Sequence, residues 1–541
     1  VQDLGLSGGR TWRRLGLALG LLTLLPLGVV LSFGAGEGPR YFGGIEMLQL
    51  AVRSLGLAAA VGLGCMALGV SLAWLVVFHR FPGRGFFAWG LVLPLALPAY
   101  VLGFVKIGLW DYAGPIRSAL RGAGLDAWSP EIRSTGGLLL VLVLAFYPYV
   151  YLTARNAFES QGRRLMEAAL GLGLSERQAW LRAALPAARP WILGGTMLAM
   201  METMADFGTV SIFNVQTLST AVYKAWYGFF SLGDAARLAA VLMLLALLLG
   251  LAEQASRRRQ RFGGLGRGES QAPPRPLRGA AAWGATAACA GVFGLAFGLP
   301  LLQLLDWSRS ESWLSWARLY AGPLRDSLVL STLAALVVTA AGGALAMAGR
   351  YRRGGLSLLA LRCADLGYAL PGAVLAIGFY IPVAWLDQHW LGLAARLGWS
   401  DPWLLRGTPL IMLLGYTVRF VVLARQPLAS SLERLRPGLD ETARSLGASS
   451  AGILSRIHLP LLRGGLAVAA LLVFVETLKE MPITLMTRPL GRDTLAVKVF
   501  ELTTEGLWER AAVPSLLLLL AGLLPVLWLA RGSAGADGRG A

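Results

Sequence analysis

Apolar stretches recur along this chain at a length that soluble cores rarely need. The first runs from Leu15 to Phe33, directly behind Arg10, Arg13 and Arg14. Five more follow near 50–78, 86–110, 136–155, 191–214 and 236–253. After a polar interval come stretches near 281–305, 327–348, 357–386, 408–424, 464–486 and 511–530. A helix of about 20 apolar residues crosses the hydrocarbon of a bilayer, so the pattern predicts twelve spans, six on each side of the interval. The first stretch is long for the core of a signal peptide and more spans follow, so it reads as a span itself.

The two sets of six match at an offset near 274. Pro98 in LPAYVLG pairs with Pro371 in LPGAVLA, Ser54 with Ser327, Glu167 with Glu441, Glu202 with Glu476, and Lys224 with Lys498. Six spans is an even number, so both copies point the same way, related by a pseudo-two-fold axis along the membrane normal. The expected fold is an all-α polytopic membrane protein with two tandem six-helix domains, residues 1–253 and 281–541. The interval 254–280, with its arginines, glycines and a Gln-Ala-Pro-Pro-Arg-Pro run, reads as an extended linker. A path through the membrane is expected at the seam between the halves. Pro94, Pro98 and Pro371 predict bends, tolerable where the freed backbone faces protein or a cavity.

Composition agrees. Only 15% of the 541 residues are charged and 56% are hydrophobic, against about 25% charged in soluble proteins. The formal charge of +19 comes mainly from arginines beside the spans: Arg80 and Arg84, Arg257 to Arg259, Arg350 with Arg352 and Arg353, and Arg531. With the N-terminus inside, every strong cluster falls on one side, as the positive-inside rule requires. Both termini are then cytoplasmic, and nucleic acid is not the expected partner. The three cysteines and three histidines show no metal or triad spacing. No lysine follows a glycine, so there is no phosphate-binding loop. The chain reads as a non-catalytic subunit with no cofactor and no stable metal of its own.

Two polar loops between spans are near-copies. Glu167-Ala168-Ala169 precedes Gly173 by six residues, and Leu185-Pro186 follows twelve later; Glu441-Thr442-Ala443, Gly447 and Leu459-Pro460 repeat both gaps. Each reads as a short helix, a glycine turn, then an amphipathic helix that the proline (Pro186, Pro460) stops before the next span. Ser175 with Gln178 fits a capping box. Behind each loop lies a pair of intramembrane acids, Glu202 with Asp206 and Glu476 with Glu480. Spacing of four puts each pair on one helix face. Intramembrane acids cost roughly 2.5–3.5 kcal/mol each. They are either satisfied inside the bundle by arginines, amides or Lys479, or they line a path for a cation. The aromatics Tyr223, Trp226, Tyr227, Phe229 and Phe230 read as an interfacial belt.

The repeated Glu-Ala-Ala…Gly loop resembles the coupling loop of bacterial ABC importer permeases. That resemblance implies an ATPase dimer docked at both loops, with ATP and Mg on the ATPase, and a periplasmic or lipid-tethered substrate-binding protein outside. The fused layout is similar to ferric-iron permeases. So are Asp206-Phe207-Gly208-Thr209-Val210, Thr220 through Trp226, Glu476 through Pro482 and Asp493-Thr494-Leu495-Ala496-Val497. The implied role is the inner-membrane permease subunit of an ATP-driven Fe(III) importer. Thiamine permeases share the layout, and a gradient-driven transporter with parallel repeats is a reading of another class.

Overall fold

The computed structural model describes residues 7–34, 41–125, 131–261, 274–310, 313–351, 355–399, 402–435, 438–489 and 491–537. Arg352, Arg353 and most of the linker lie outside the described residues, and the side chains of Arg257 to Arg259 and Arg531 are likewise not described. The architecture is all-α, apart from one short parallel pairing of His79–Arg80 with Arg275–Pro276. Among the described residues, eight helices are long and apolar enough to span a membrane, or ten if each of two bent pairs counts as one. Helices Leu185–Ala205 and Trp508–Asp537 stand at the two remaining expected positions.

The bends fall at the prolines. Arg84–Ala96 meets Ala99–Gly122 at 93°, and Gly355–Ala369 meets Gly372–Arg396 at 115°. Pro98 and Pro371 are the residues immediately before the second helix of each pair, where a missing N–H costs nothing. The spans expected over 191–214 and 464–486 are also broken. The first ends at Ala205 and restarts at Gly208–Ile212; the second ends at Lys479 and restarts at Pro482–Thr487. Matching buried hydrogen bonds tie the halves' outer elements: Leu218 N donates to Ser54 Oγ (2.8 Å), and Leu495 N to Ser327 Oγ (2.7 Å). Each serine, on a long helix, thus caps the first turn of a short one.

The first helix of each half packs on the other half. Ser7–Gly34 lies against Gly355–Leu366, Gly372–Arg396 and Trp313–Arg350. Small residues allow the approach: a Cβ on Gly378 would sit 2.4 Å from Pro26 Cβ, and one on Gly20 2.9 Å from Ala360 Cα. Reciprocally, Ala282, Ala285, Cys289 and Ala296 join the core of the first half, and Thr286 Oγ1 donates to Pro82 O (2.9 Å). A third core, shared by both halves, contains Tyr100, Phe104 and Phe207 with Met481, Leu495 and Phe500.

The aromatic stretch after residue 220 departs from the expected surface belt. Tyr223 packs on Phe207 (4.7 Å), Trp226 on Tyr380 (4.7 Å), and Tyr227 OH donates to Met486 O (3.2 Å), so the stretch bridges the halves. Tyr227, Phe229 and Phe230, 39%, 36% and 86% exposed, keep the outward face that the belt reading expects.

Helix exchange makes a directional prediction. Gly378→Leu must displace Pro26 and should cost about 1–3 kcal/mol, read as a lower melting temperature of the purified protein. Gly284→Leu, where a Cβ meets nothing within 4 Å, should leave it unchanged. Equal melting of the two variants would refute the tight helix contact.

Candidate functional site

Both loops take the predicted helix–turn–helix form. In the first, helix Arg163–Gly171 closes on Gly173 with φ +85°; in the second, Gly438–Ser445 closes on Gly447 with φ +82°. Leu174 N donates to Ala169 O (3.1 Å) and Ala448 N to Ala443 O (2.9 Å), the six-to-one closure that needs a left-handed residue. A Cβ on either glycine would meet nothing within 4 Å, so dihedral angle and not space selects glycine here. The Ser175–Gln178 capping box forms, and Ser449 caps Gly452 N (3.1 Å). Glu167, Ala168 and Glu441 are exposed, while Ala169 and Ala443 turn inward. The residue before each glycine turn is a leucine bare to its surroundings: Leu172 is 85% exposed and Leu446 82%.

The prolines do not stop the second helices. The chain runs on through wide turns, Trp180–Ala184 and Leu454–His458, into Leu185–Ala205 and Leu459–Lys479. Pro186 and Pro460 sit in the first turn of these helices, where an absent N–H is harmless.

The loops differ underneath. In the second, Asp440 Oδ1 meets His458 Nε2 at 2.8 Å, and its Oδ2 accepts from Tyr351 OH (2.7 Å) and Arg350 Nε (3.3 Å). Burial raises the Asp440 carboxyl, but the hydrogen bonds from Tyr351 and His458 and the nearby positive charges outweigh it and leave it below its ordinary value. Met166 and Ala184 occupy the positions matching Asp440 and His458, so the first loop has no such tie. The sequence carried this signal as two apolar-to-polar differences between otherwise matched loops.

All four intramembrane acids line one cavity of about 120 Å³ at the seam. Their arrangement corrects the single-face reading, because Asp206 and Glu480 lie just past their helix ends. Each closes the break beside it. Asp206 Oδ1 accepts from Thr209 N (2.9 Å) and Val210 N (3.2 Å), and Oδ2 from Thr209 Oγ1 (2.8 Å). Glu480 Oε1 accepts from Ile483 N (2.9 Å), and Oε2 from Thr484 N (3.2 Å) and Thr484 Oγ1 (3.1 Å). Glu202 accepts from Tyr368 OH (3.0 Å) and lies 3.9 Å from Arg419, both on the opposite half. Glu476 pairs with Lys479 of its own helix at 2.8 Å.

Tyr149 and Arg419, which also line the cavity, and Tyr368 were missed in the sequence; an arginine inside the apolar run LLGYTVRFVVL was the available sign. By formal charge, four carboxyl groups against one guanidinium and one ammonium give an excess of two negative charges. Among the described residues, no three His, Cys, Asp or Glu side chains gather closely enough to hold a metal ion.

Two kinds of acid predict two kinds of variant. Asp206→Ala and Glu480→Ala should each destabilise the purified protein by about 1–2 kcal/mol, as lost caps do. Glu202→Gln, which keeps an acceptor for Tyr368, should melt like the parent. Unchanged melting of both cap variants would remove the capping role.

The chain matches the family model described as binding-protein-dependent transport system inner membrane component twice, over residues 65–254 and 339–531. It is 27% identical to the Fe(3+)-transport system permease protein FbpB 2 of Haemophilus influenzae over 492 residues, 90% of each chain. Similarity also extends to the sulfate transport system permease protein CysW of Escherichia coli, 33% over 148 residues (27% of this chain, 49% of that protein). The molybdenum transport system permease protein ModB of H. influenzae is 28% identical over 211 residues (38% of this chain, 90% of that protein).

Proposed function

This chain belongs to the family of binding-protein-dependent transport system inner membrane components, and from that premise we propose that it forms the membrane path of an ATP-driven importer for Fe(III). It is a non-catalytic, multi-pass ABC importer permease with both permease domains in one chain. The observation that carries the iron reading is the similarity to the Fe(3+) permease, which runs through both halves and covers 90% of the chain. The sulfate and molybdenum permeases named above match over 38% of it at most. The negative excess of the seam cavity supports the same choice, since it attracts a cation and repels an oxyanion. The carboxylates act on a passing cation by their field, without assembling a ligand set.

In this reading a cytoplasmic ATPase dimer, carrying ATP and Mg, seats on the two loops, and both termini lie on the same side. An external binding protein, periplasmic or lipid-tethered, delivers the iron. Leu172 and Leu446 are the apolar anchors each loop offers to the ATPase. Closure of the ATPase dimer would drive the loops together and shift the seam between inward and outward access.

The substrate test is uptake into proteoliposomes holding the chain with its ATPase, supplied with the loaded binding protein. ATP-dependent entry of radiolabelled iron is expected. Entry of thiamine, sulfate or molybdate in place of iron overturns the substrate assignment. Glu202→Gln with Glu476→Gln should lower iron entry about tenfold or more, equivalent to 1.4 kcal/mol, while ATPase binding and basal hydrolysis persist. Poor assembly of that double variant would instead assign the two acids to pairing with Arg419 and Lys479.

The docking test uses the glycine turns. Gly173→Asp and Gly447→Asp force a side chain into left-handed backbone, costing about 1–2 kcal/mol, and add a charge to an exposed surface. Uptake should be abolished with membrane insertion intact. Parental transport and ATPase capture by both variants would end the docking assignment.

A further inference from the structure

The two halves carry the same cavity in different states. Beneath the second loop, Trp12, Met347, Tyr351, Leu454 and His458 leave about 10 Å³. At the matched place beneath the first loop stand Trp74, Phe78, Met166, Leu170 and Trp180, and the space opens to about 530 Å³. Two differences account for this. The exchanged first helix plugs the second site with the indole of Trp12, whereas Ala285 and Thr286 occupy the corresponding part of the helix that serves the first. The Asp440–His458 tie that closes the second site is Met166 and Ala184 in the first.

What lines the open cavity is not generic apolar wall. Trp74 stacks edge-on with His79 (4.3 Å) and with Trp180 (6.1 Å). Trp74 Nε1 and Trp180 Nε1 are both buried without a hydrogen-bond partner, and His79 is only 7% exposed. Buried indole N–H groups without an acceptor are costly, and the two here belong to side chains that line this cavity. Burial and the charge of Arg275 hold the His79 imidazole below its ordinary value, although a hydrogen bond with the Trp74 backbone works against them. Charged groups of the lining are Arg163, Arg177 and Arg275 against Glu167 and Glu176, an excess of one positive charge. Arg275 is ion-paired with Glu176, and its strand lies along His79–Arg80, with Leu277 N donating to Arg80 O (2.9 Å). The end of the inter-domain linker therefore forms one wall, and the loop itself forms another. A volume of 530 Å³ lies within the usual size of small-molecule sites, about 300–1,000 Å³.

We infer that this cavity is a binding site for a small, flat organic anion. Its aromatic body lies among Trp74, Phe78 and Trp180, and its carboxylate or phosphate group faces Arg163, Arg177 and Arg275. Such a ligand offers acceptor oxygens to the arginines and an apolar face to the indoles. It would touch the first loop through Met166, Glu167 and Leu170, and nothing equivalent fits under the second.

The site is separate from the iron path, and the test uses the full chain alone in phosphatidylcholine nanodiscs, so its outcome does not depend on substrate or ATPase assignments. Titration calorimetry with naphthoate should give saturable binding of one molecule per chain. Neutral naphthamide and acetate, which each lack one half of the recognised chemistry, should bind at least about tenfold more weakly, a difference of 1.4 kcal/mol. Leu170→Trp, which fills the void, and Arg177→Gln, an exposed change that spares the fold, should both weaken naphthoate by a similar factor. Leu454→Trp, in the sealed site at the position matching Trp180, should leave it unchanged. No saturable binding, equal binding of naphthamide, or full affinity in both Leu170→Trp and Arg177→Gln overturns the assignment.

Discussion

In hydrocarbon, a backbone N–H or C=O without a partner costs several kcal/mol, and this chain interrupts its helices repeatedly at membrane depth. Each interruption is closed by a specific side chain. Asp206 and Glu480 take the free amides that begin Gly208–Ile212 and Pro482–Thr487. Ser54 and Ser327 take those that begin Leu218–Tyr223 and Leu495–Thr504. Pro98 and Pro371 stand immediately before helices, where no N–H is needed. The central cavity exists because the spans stop short of it, and the spans can stop because these groups are present. Acids that look like substrate ligands in the sequence thus have a prior structural duty.

Near-symmetry supplies the frame and its failures supply the chemistry. The halves agree in loop geometry, in caps and in the exchange of first helices. They differ at Asp440 and His458 against Met166 and Ala184, and at Trp12 against the small residues of the partner helix. These differences seal one loop onto its helix and leave the other over open space. The loops are thus held differently: one is tethered through Asp440 to Arg350 and Tyr351, the other lies against the end of the linker.

The spans, the repeat, the glycine turns and the proline bends were legible because each follows from local pattern: apolar length, fixed gaps, or the backbone limits of one residue type. The breaks at Asp206 and Glu480 were not. A carboxylate three residues before an amide looks the same on paper whether the helix continues or ends, and apolar residues run through both sites. Arg419 and Tyr368 escaped for a different reason, since their partner Glu202 is more than 160 residues away in sequence. The aromatics after residue 220 were read as a surface belt because composition cannot tell a lipid interface from a protein seam. Phe207, Tyr380 and Met486 decide it by contact.

The charges at the seam also separate what can move from what cannot. Glu476 and Lys479 sit three residues apart on one helix, so no rigid motion of one half against the other disturbs them. Glu202 takes its hydrogen bond from Tyr368 and its nearest positive charge from Arg419, both across the seam. Any parting of the halves along this seam must break these contacts, together with the bond from Tyr227 to Met486. Arg419 Nε has no partner and the ion pair is 3.9 Å long, while Nη1 donates to Leu370 O (3.4 Å) on its own half. Separation therefore gives up little at Arg419 and frees the Glu202 carboxylate toward the cavity. A contact of that length across the seam is readily given up when the halves part, and its loss would leave negative charge facing the cavity.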